Sequence, residues 1–349
     1  MEKCLLTKLN GSSGNSELMK VGEMRIKISK VEVPTDTTQN LSIAVSKPIT
    51  LEIIGEGYFT NNNLTENKGK TLVLNVGDNS IWVSNNDVEI AILDKYSINN
   101  FNASLYAFNR LINIAYFKYS LGLTGLYLGG TQAYGDIANL ENLTNLTGLY
   151  LGGTQAYGDI ANLKNLTNLT GLDLGGTPNI SGDIANLKNL TNLGYLNLGL
   201  TQAYGDIANL KNLTNLGYLN VGTQYSSGDI GTLSGLINVT EINLVGGSFT
   251  GDLSKLPDSC KSIAFGQNNT VLSWTNRPST AYILSITGDA KITDVDKMLQ
   301  DQAQCQVGIT ESSLVYYKTI SCVGNRTSAS DAAVATLQSK GYTVSITPA

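Results

Sequence analysis

A unit of 23 residues recurs through the middle of the chain and constrains the fold more than any other feature. The segment that begins at Leu123 returns at Leu146 with a single change, and looser copies continue to residue 270. A lone unit cannot bury its own leucines, so neighbouring units must stack and share one apolar core. The first residues of the L-x-L pairs, spaced by 23, 23, 24, 23, 23 and 21 residues, are Leu126, Leu149, Leu172, Leu196, Leu219, Ile242 and Ile263.

Each unit combines two hydrophobic periods. The L-x-L piece has period two, which predicts a short strand with both leucines on one face. The piece that follows, from Ile137 to Leu146 in the first unit, has an apolar residue at every third position. This spacing favours an extended or 3₁₀-like turn over an α-helix, and the many asparagines also disfavour a regular helix. Stacked units are therefore expected to form one parallel sheet with a mostly non-helical convex side.

The pattern L-x-x-L-x-x-L-x-L-x-x-T, followed by G-D-I, resembles the leucine-rich repeats over about half the chain. It is most similar to the subclass that reads L-x-x-L-x-L-x-x-N-x-L-x-G-x-I-P. The resemblance implies a solenoid that presents a binding surface, and it does not indicate the ligand. Two departures suggest a bacterial or viral variant, because the proline after isoleucine is missing and hydroxyls replace the family's inward asparagines. The threonines concerned are Thr131, Thr154, Thr177 and Thr201.

The residues before the repeats follow a different pattern. Residues 1–97 contain β-rich runs separated by turn-forming clusters, which predicts a small all-β, sandwich-like domain. Residues 98–122 are expected to form the N-terminal cap of the solenoid, because Ile114 and Phe117 repeat the spacing of the first full unit. The β-rich runs are Met24–Val31, Leu41–Val45, Ile49–Ile54, Thr71–Val76, Ser80–Val83 and Val88–Leu93.

Residues 123–270 are thus assigned to the repeats, and residues 271–349 to the last repeats and an α/β C-terminal cap. Terminal repeats are expected to be atypical, because they must shield the open end of the core. The predicted elements are a strand at Ile283–Ile286, a helix over residues 294–304 capped by Thr293, a helix over residues 331–341 capped by Ser328 or Ser330 and closed by Gly341, and a strand at Tyr342–Ile346.

Composition excludes several classes of function. The chain has no histidine, which removes the commonest general base and metal ligand and excludes Ser-His-Asp and Cys-His catalytic sites. A net charge of −5 without clustered Lys or Arg argues against a nucleic-acid partner. There is no glycine-rich phosphate loop, and no acidic pair stands apart from the repeats. We therefore expect no enzyme activity, no cofactor and no metal.

Cysteine usage and the N-terminus bear on location. The cysteines Cys4, Cys260, Cys305 and Cys322 form no C-x-x-C pair and are expected to be small buried hydrophobes, with a Cys305–Cys322 bridge left open. No secretory h-region precedes the β-rich runs, and no run of about 18 apolar residues is present. We expect no signal peptide and no membrane insertion, and a place in the virion if phage-encoded or otherwise in the cytoplasm.

The candidate ligand-binding residues lie on the outward face of the predicted L-x-L sheet. Tyrosine gives a large contact area and can stack on a sugar ring or an apolar side chain. The alternative is that these residues are cross-strand pairs that only stabilise the sheet. Gly125, Gly148 and Gly171 suggest a groove with close access to the backbone. The candidates are Tyr127, Tyr150, Asp173, Tyr195, Asn197, Tyr218, Asn220, Glu241 and Asn243.

Two further columns arise at the G-D turn of each unit. The tyrosines before it form either a second contact strip or an aromatic stack over the turn, and they are Tyr134, Tyr157, Tyr204 and Tyr225. Stacked aspartates about 5 Å apart repel by roughly 0.8 kcal/mol per pair in water, so each is expected to accept backbone hydrogen bonds in its own turn. A calcium ladder is the alternative, although no D-x-D-x-D spacing supports it. The aspartates are Asp136, Asp159, Asp183, Asp206, Asp229 and Asp252.

These patterns predict a non-enzymatic binding module. Its solenoid is expected to recognise a glycan or protein on a cell surface, and residues 1–97 to attach it to a larger assembly. The N-terminal domain and the C-terminal end resemble virion or appendage proteins of tailed phages of gut bacteria, which implies virion assembly partners for residues 1–97. Two alternatives remain, a purely structural virion decoration or spacer protein and a bacterial cytosolic or surface interaction protein.

Overall fold

The computed structural model of the chain describes residues 112–266, 270–278, 283, 285–305 and 318–349 in full, and the strands between residues 24 and 102 as backbone. Its contacts divide the chain into an N-terminal unit, Met1–Ala156, and a C-terminal unit, Tyr157–Ala349. Each unit is described by itself. The predictions made for Cys4 and for the segment before the first strand fall outside the described residues.

The N-terminal unit is composed of strands and short 3₁₀ helices. The 3₁₀ helices are Ile114–Phe117 and Ile137–Leu140. The strands are β1 (Met24–Ile28), β2 (Gln39–Val45), β3 (Ile49–Ile54), β4 (Tyr58–Asn61), β5 (Asn67–Lys68), β6 (Leu72–Leu74), β7 (Gly77–Val83), β8 (Val88–Ile92), β9 (Ile98–Asn102), β10 (Gly125–Tyr127), β11 (Tyr134–Asp136) and β12 (Gly148–Tyr150).

Each β-rich run predicted before residue 98 contains a strand, with bounds shifted by up to three residues at each end. Strands β4, β5 and β9 were not predicted. β1, β8, β3 and β6 form an antiparallel sheet in that order. A second sheet runs β5, β4, β7, β2 and β9, and then continues through parallel pairing of β9 with β10 and of β10 with β12. The sandwich-like packing of the two sheets stays a prediction, because it concerns side chains outside the described residues.

The C-terminal unit holds the remaining repeats and the C-terminal end. Its helices are α1 (Val295–Gln304) and α2 (Asp331–Ser339), and its 3₁₀ helices are Ile160–Leu163, Ile184–Leu187, Ile207–Leu210, Ile230–Gly235, Leu253–Lys255 and Ser328–Ser330. The strands are β13 (Gln155–Asp159, which begins in the N-terminal unit), β14 (Gly171–Asp173), β15 (Asn179–Asp183), β16 (Tyr195–Asn197), β17 (Gln202–Asp206), β18 (Tyr218–Asn220), β19 (Tyr225–Asp229), β20 (Glu241–Leu244), β21 (Ser248–Asp252), β22 (Ser262–Phe265), β23 (Val271–Ser273), β24 (Ser285–Gly288), β25 (Lys291–Ile292), β26 (Thr319–Val323) and β27 (Thr343–Thr347).

Two parallel ladders run along the C-terminal unit, so it is a parallel-strand solenoid of the kind typical of leucine-rich repeats. The first, which we call the L-x-L ladder, pairs β14, β16, β18, β20, β22, β24, β26 and β27 in order. The second ladder was not predicted and pairs β13, β15, β17, β19, β21, β23 and β25. Up to β25 each repeat thus contributes one strand to each ladder, whereas β26 and β27 belong to the L-x-L ladder and are accompanied by α1 and α2.

The core is the leucine column that the repeat predicts. In one repeat of the C-terminal unit the L-x-L leucines Leu196 and Leu198 are fully buried, as are Ile207, Leu210 and Leu213 in the period-three segment. That segment begins as a 3₁₀ helix, which confirms the reading of its spacing. In the N-terminal unit Ile114 and Phe117 are buried in a 3₁₀ helix of the same type, as their register predicts.

The threonines that replace the family's asparagine are buried, as expected. Thr201 Oγ1 donates to the carbonyl of Leu198 at 2.6 Å and accepts from Ala203 N at 3.2 Å. Thr131 and Thr154 repeat this arrangement in the N-terminal unit. The hydroxyl satisfies backbone groups within its own turn, so the inward ladder between repeats becomes a set of local hydrogen bonds.

Asparagines take over the contacts between repeats. Asn215 Nδ2 donates to the carbonyl of Thr191 in the preceding repeat at 2.9 Å, and Asn192 and Asn238 make the equivalent bonds. A second asparagine, Asn209, donates to the carbonyl of Asp206 in its own turn. The residues that disfavour an α-helix therefore stabilise the 3₁₀ turns that replace it.

The C-terminal end changes to true helices, as predicted, with two corrections. Asp294 occupies the N-cap of α1, and Thr293 instead donates its hydroxyl to the Asp294 carboxylate. Ser330 occupies the N-cap of α2 without capping it through its side chain, because its hydroxyl is engaged by Asp296. Gly341 ends α2 at φ 85°, as expected. Among the described residues no helix is long and apolar enough to cross a membrane.

Candidate ligand-binding surface

The L-x-L ladder of the C-terminal unit carries a stacked pair of tyrosines. Tyr195 and Tyr218 are partners in the register of β16 and β18, and their ring centroids lie 4.7 Å apart with 9° between the ring planes. Glu241 is the next residue in this column, as the partner of Tyr218. All three are half-buried. A stacked pair contributes about 0.5–1.5 kcal/mol beyond its buried area, so these rings stabilise the sheet and still present accessible surface.

In the N-terminal unit Tyr127 and Tyr150 form an equivalent stack, with centroids 5.1 Å apart and 15° between planes. A Cβ on Gly148 would lie 2.8 Å from Tyr127 Oη and 3.2 Å from Tyr150 Cε2. The ring of Tyr127 therefore occupies the space above this glycine. The predicted groove with open backbone access is wrong at Gly148, because glycine there makes room for an aromatic ring.

The adjoining column consists of one carboxylate and three amides that fold back onto the backbone. In each, Oδ1 accepts from the N–H two residues further along, at 3.0–3.1 Å. Asn197 Nδ2 also donates to Asp173 Oδ1 at 2.9 Å. These side chains close the turn after each strand, so part of their hydrogen-bonding capacity is already used. The column consists of Asp173, Asn197, Asn220 and Asn243.

Two groups on this face have shifted pKa values. Burial raises the pKa of the Asp173 carboxyl, against the opposing hydrogen bonds from Gly175 N and Asn197. Burial also raises the pKa of the Tyr218 phenol, and the negative charge of Glu241 adds to this shift. The face is thus partly removed from water before any partner covers it, which reduces the further desolvation that binding requires.

An exposed leucine beside this face was missed by the sequence analysis. Leu200 is 79% exposed and has φ 60°, the left-handed region that favours glycine. The equivalent positions in three other repeats are Gly130, Gly153 and Gly176, with φ between 68° and 71°. Its signal in the sequence is G-L-T where these repeats read G-G-T. A branched apolar side chain in this conformation costs about 1–2 kcal/mol, and at 79% exposure it recovers little of that by burial.

A second exposed apolar residue extends this feature. Leu200 N donates to the carbonyl of Gly222 at 3.4 Å, and a Cβ on Gly222 would meet Val245 O at 2.5 Å. Val245 is 46% exposed. Leu200 and Val245 thus lie on either side of Gly222, and we call these two exposed apolar residues the apolar ridge.

The aspartates of the G-D turns lie away from this face and have the structural role predicted for them. In the C-terminal unit Asp159, Asp183 and Asp206 each cap a 3₁₀ helix, with Oδ1 accepting from the N–H two residues on at 2.8 Å. A Cβ on Gly205 would lie 2.6 Å from Asp183 Oδ1, so the glycine of each G-D pair makes room for the cap of the preceding repeat. Within the described residues no group of three or more Cys, Asp or Glu side chains could hold a metal ion.

The tyrosines of the G-D turns lie on the second ladder. Tyr157, Tyr204 and Tyr225 are 49%, 48% and 51% exposed in the C-terminal unit. Tyr134 is half-buried in the N-terminal unit. They do not belong to the L-x-L face.

The described cysteines Cys260, Cys305 and Cys322 are buried free thiols, as expected, and the bridge left open between Cys305 and Cys322 is not formed. Burial raises the pKa of Cys260 and of Cys322 to about 12, and it also raises the pKa of Cys305. A thiol that stays protonated and inaccessible is a poor nucleophile, so these residues serve packing.

No family model matches this chain, and no curated protein matches it. Similar solved structures include an internalin from Listeria monocytogenes, at 21% identity over 68% of this chain and 72% of that chain, with a TM-score of 0.45. A second internalin from the same organism has 28% identity, coverages of 52% and 75%, and a TM-score of 0.40. The Arabidopsis receptor kinase HAESA ectodomain, in complex with a peptide hormone ligand, has 22% identity, coverages of 54% and 42%, and a TM-score of 0.40. These are leucine-rich-repeat proteins.

Proposed function

We propose that the chain is a non-enzymatic binding module whose L-x-L face takes a protein ligand on a cell surface. The observation that carries this proposal is Leu200, an exposed leucine held in a strained conformation where other repeats have glycine. Costly local strain that burial of the side chain does not offset is typical of functional positions. An aliphatic side chain beside stacked tyrosines offers the apolar and aromatic contacts that anchor protein partners.

The chemistry of the described residues supports a binding role over catalysis. The chain lacks histidine, the described thiols are buried, and the repeated aspartates cap their own turns. The glycan that the sequence analysis also allowed is less suited to this face, because the amides that would bind sugar hydroxyls already close turns. Attachment through residues 1–97 to a larger assembly, such as a phage virion or tail appendage, is part of the proposal. Detection of the chain in purified virions tests it, and recovery only from the host cytoplasm or surface favours an interaction protein.

The ligand is tested with the full chain, labelled and incubated with a panel of intact bacterial cells. Part of each culture is treated with proteinase K and part with periodate, which oxidises glycans. We expect binding that protease abolishes and periodate spares. Binding that periodate abolishes and protease spares would identify the ligand as a glycan. Absence of binding to every cell type would favour a structural spacer.

Variants locate the binding to the face. Leu200→Gly and the pair Tyr195→Ala with Tyr218→Ala should each weaken binding at least tenfold. Ile237→Ala is the matched control, because Ile237 is a 68% exposed apolar residue on the 3₁₀ side of its repeat. Equal losses in all variants would contradict a role for this face.

A further inference from the structure

The exposed side of the second ladder is a surface distinct from the L-x-L face. Along β13, β17 and β19 exposed residues alternate with buried ones such as Ala203 and Ser226. The tyrosines Tyr157, Tyr204 and Tyr225 lie on the exposed side, each with about half of its surface accessible. We call these three residues the tyrosine row.

The tyrosine row is not engaged in holding the fold. Tyr204 and Tyr225 are partners in the register of β17 and β19. Even so, across the described residues no hydrogen bond joins the phenols of the row to other groups, and no ring stacks on another. Tyr195 and Tyr218, by contrast, do stack, with ring centroids 4.7 Å apart. The sequence analysis allowed an aromatic stack over the turn, and the geometry does not form one.

Carboxylates accompany these rings. Asp159, Asp206 and Asp229 are exposed in the same strands and use Oδ1 as the helix cap, at 2.8 Å from the backbone N–H. No other hydrogen bond of these three side chains occurs in the described part of the chain, so Oδ2 is available as an acceptor. The cap fixes each carboxylate in place, which lowers the entropy that a ligand contact would otherwise remove.

We infer that this surface binds a neutral polysaccharide. Exposed aromatic rings stack on the apolar faces of sugar rings, and fixed carboxylate oxygens accept hydrogen bonds from sugar hydroxyls. The aspartates repel anionic polymers. β13, β17 and β19 each present a tyrosine and an exposed aspartate, whereas β15, between β13 and β17, has no tyrosine. Neighbouring parallel strands are spaced by about 4.8 Å, so β17 and β19 offer these contacts side by side, as a polymer of repeating units requires. The exposed positions of β13 to β21 include no aliphatic side chain, which distinguishes this surface from the ridge formed by Leu200 and Val245.

The test is native affinity electrophoresis of the full chain in gels that contain a dissolved polysaccharide. The neutral probes are hydroxyethylcellulose, laminarin, galactomannan and glycogen, and the anionic probe is polygalacturonate. We expect at least one neutral polymer to retard the chain and polygalacturonate to have no effect. Retardation by none of the neutral polymers, or stronger retardation by the anionic one, overturns the inference.

Matched variants separate this surface from the L-x-L face. Replacing the tyrosine row with alanine should abolish the retardation, whereas replacing it with phenylalanine should preserve most of it because stacking is retained. Asp206→Asn should weaken it severalfold without loss of fold, because Asn113 caps its own 3₁₀ helix with the same geometry.

The pair Tyr195→Ala with Tyr218→Ala should leave the retardation unchanged. If that pair abolishes it and the alanine row does not, the polysaccharide binds the L-x-L face and the inference is wrong. Circular dichroism of each variant confirms the fold. Binding here and binding to cells through Leu200 can therefore fail independently.

Discussion

Two regions of the C-terminal unit satisfy their polar groups in opposite ways. In the near-identical repeats, polar residues make short-range hydrogen bonds that recur from one repeat to the next. Examples are the helix cap of Asp206 and the bond from the Thr201 hydroxyl to its own turn. At the C-terminal end, single residues serve several partners at once. Arg277 is buried and donates to the carbonyls of Ser254, Leu256 and Pro257, while Asp301 accepts from Trp274 Nε1.

The difference shows that the repeats and the C-terminal end are stabilised in different ways. The repeats distribute stability over many small, equivalent contributions, so their exposed residues are free to vary with the ligand. The C-terminal end must shield an open core, and it does so with buried polar groups. Removing one such group leaves its buried partners without a hydrogen bond, which lowers the free energy of unfolding. Substitutions in the two regions test this division of stability.

Gly182→Ala should be the most damaging small change. Gly182 has φ 120°, and a Cβ there would lie 2.2 Å from Asp159 Oδ1. The clash and the backbone strain together should lower the free energy of unfolding by about 3 kcal/mol. Gly341→Ala, at the C-terminal end, should cost only about 1 kcal/mol, because its nearest neighbour is Lys318 Cδ at 4.0 Å. Urea denaturation of both variants measures the difference, and equal losses would show that the caps tolerate displacement.

Arg277→Met should lower the free energy of unfolding by about 2–3 kcal/mol. The change keeps most of the side-chain volume but leaves the carbonyls of Leu256 and Pro257 without their donor. The matched change in a repeat, Asn209→Ala, removes one hydrogen bond and should cost about 1 kcal/mol. Both are measured by urea denaturation. A smaller loss for Arg277→Met than for Asn209→Ala would contradict the concentration of stability at the end.

Asp296→Asn should reveal a pH-dependent contact at the C-terminal end. Burial alone would raise the pKa of Asp296, but hydrogen bonds from Ser330 and Thr327 hold it below 3.8. A lowered pKa stabilises the fold above its unfolded value, and this contribution disappears as the pH falls through the folded value. Calorimetry should find a lower Tm for the variant at pH 7, and the two Tm values should converge as the pH falls through the lowered pKa of Asp296. A difference independent of pH would mean that the charge of Asp296 contributes nothing.

Leu200→Gly should have the smallest effect and the opposite sign. Glycine relieves the strain at φ 60° but loses more entropy on folding, so stability should rise by about 0.5 kcal/mol. The reverse change at an equivalent position, Gly176→Leu, should lower it. Thermal unfolding of the two variants checks both signs. A loss of stability in Leu200→Gly would mean that the leucine side chain stabilises the fold.

Much of the fold follows from the sequence, because the repeat reports burial directly. The positions of the L-x-L strands, the 3₁₀ turns and the capping aspartates all follow from period and residue type. The sequence does not predict how neighbouring side chains pack against one another. That Tyr127 lies over Gly148 depends on the direction of one ring. The second ladder was missed because its strands contain glycines at positive φ, such as Gly205, which read as turns.

The candidate surface was predicted in part. The column of Tyr195 and Tyr218 is where the period places it, yet the stacking and the inward-folded amides could not be read from residue types. Leu200 was not predicted as a site residue, because an apolar residue in a loop lies outside the periodic pattern of the repeats. Only its backbone angle and exposure identify it.

The central claim is that buried columns and caps hold the repeats together, while the stacked tyrosines are chiefly for binding. Thermal unfolding of two double variants tests it directly, Tyr195→Ala with Tyr218→Ala and Asp183→Ala with Asp206→Ala. The tyrosine pair should cost about 1–1.5 kcal/mol, because the stack is lost but the rings are only half-buried, and the loss of two caps about 2 kcal/mol or more. A greater loss from the tyrosine pair than from the aspartate pair would make the rings structural and contradict the account.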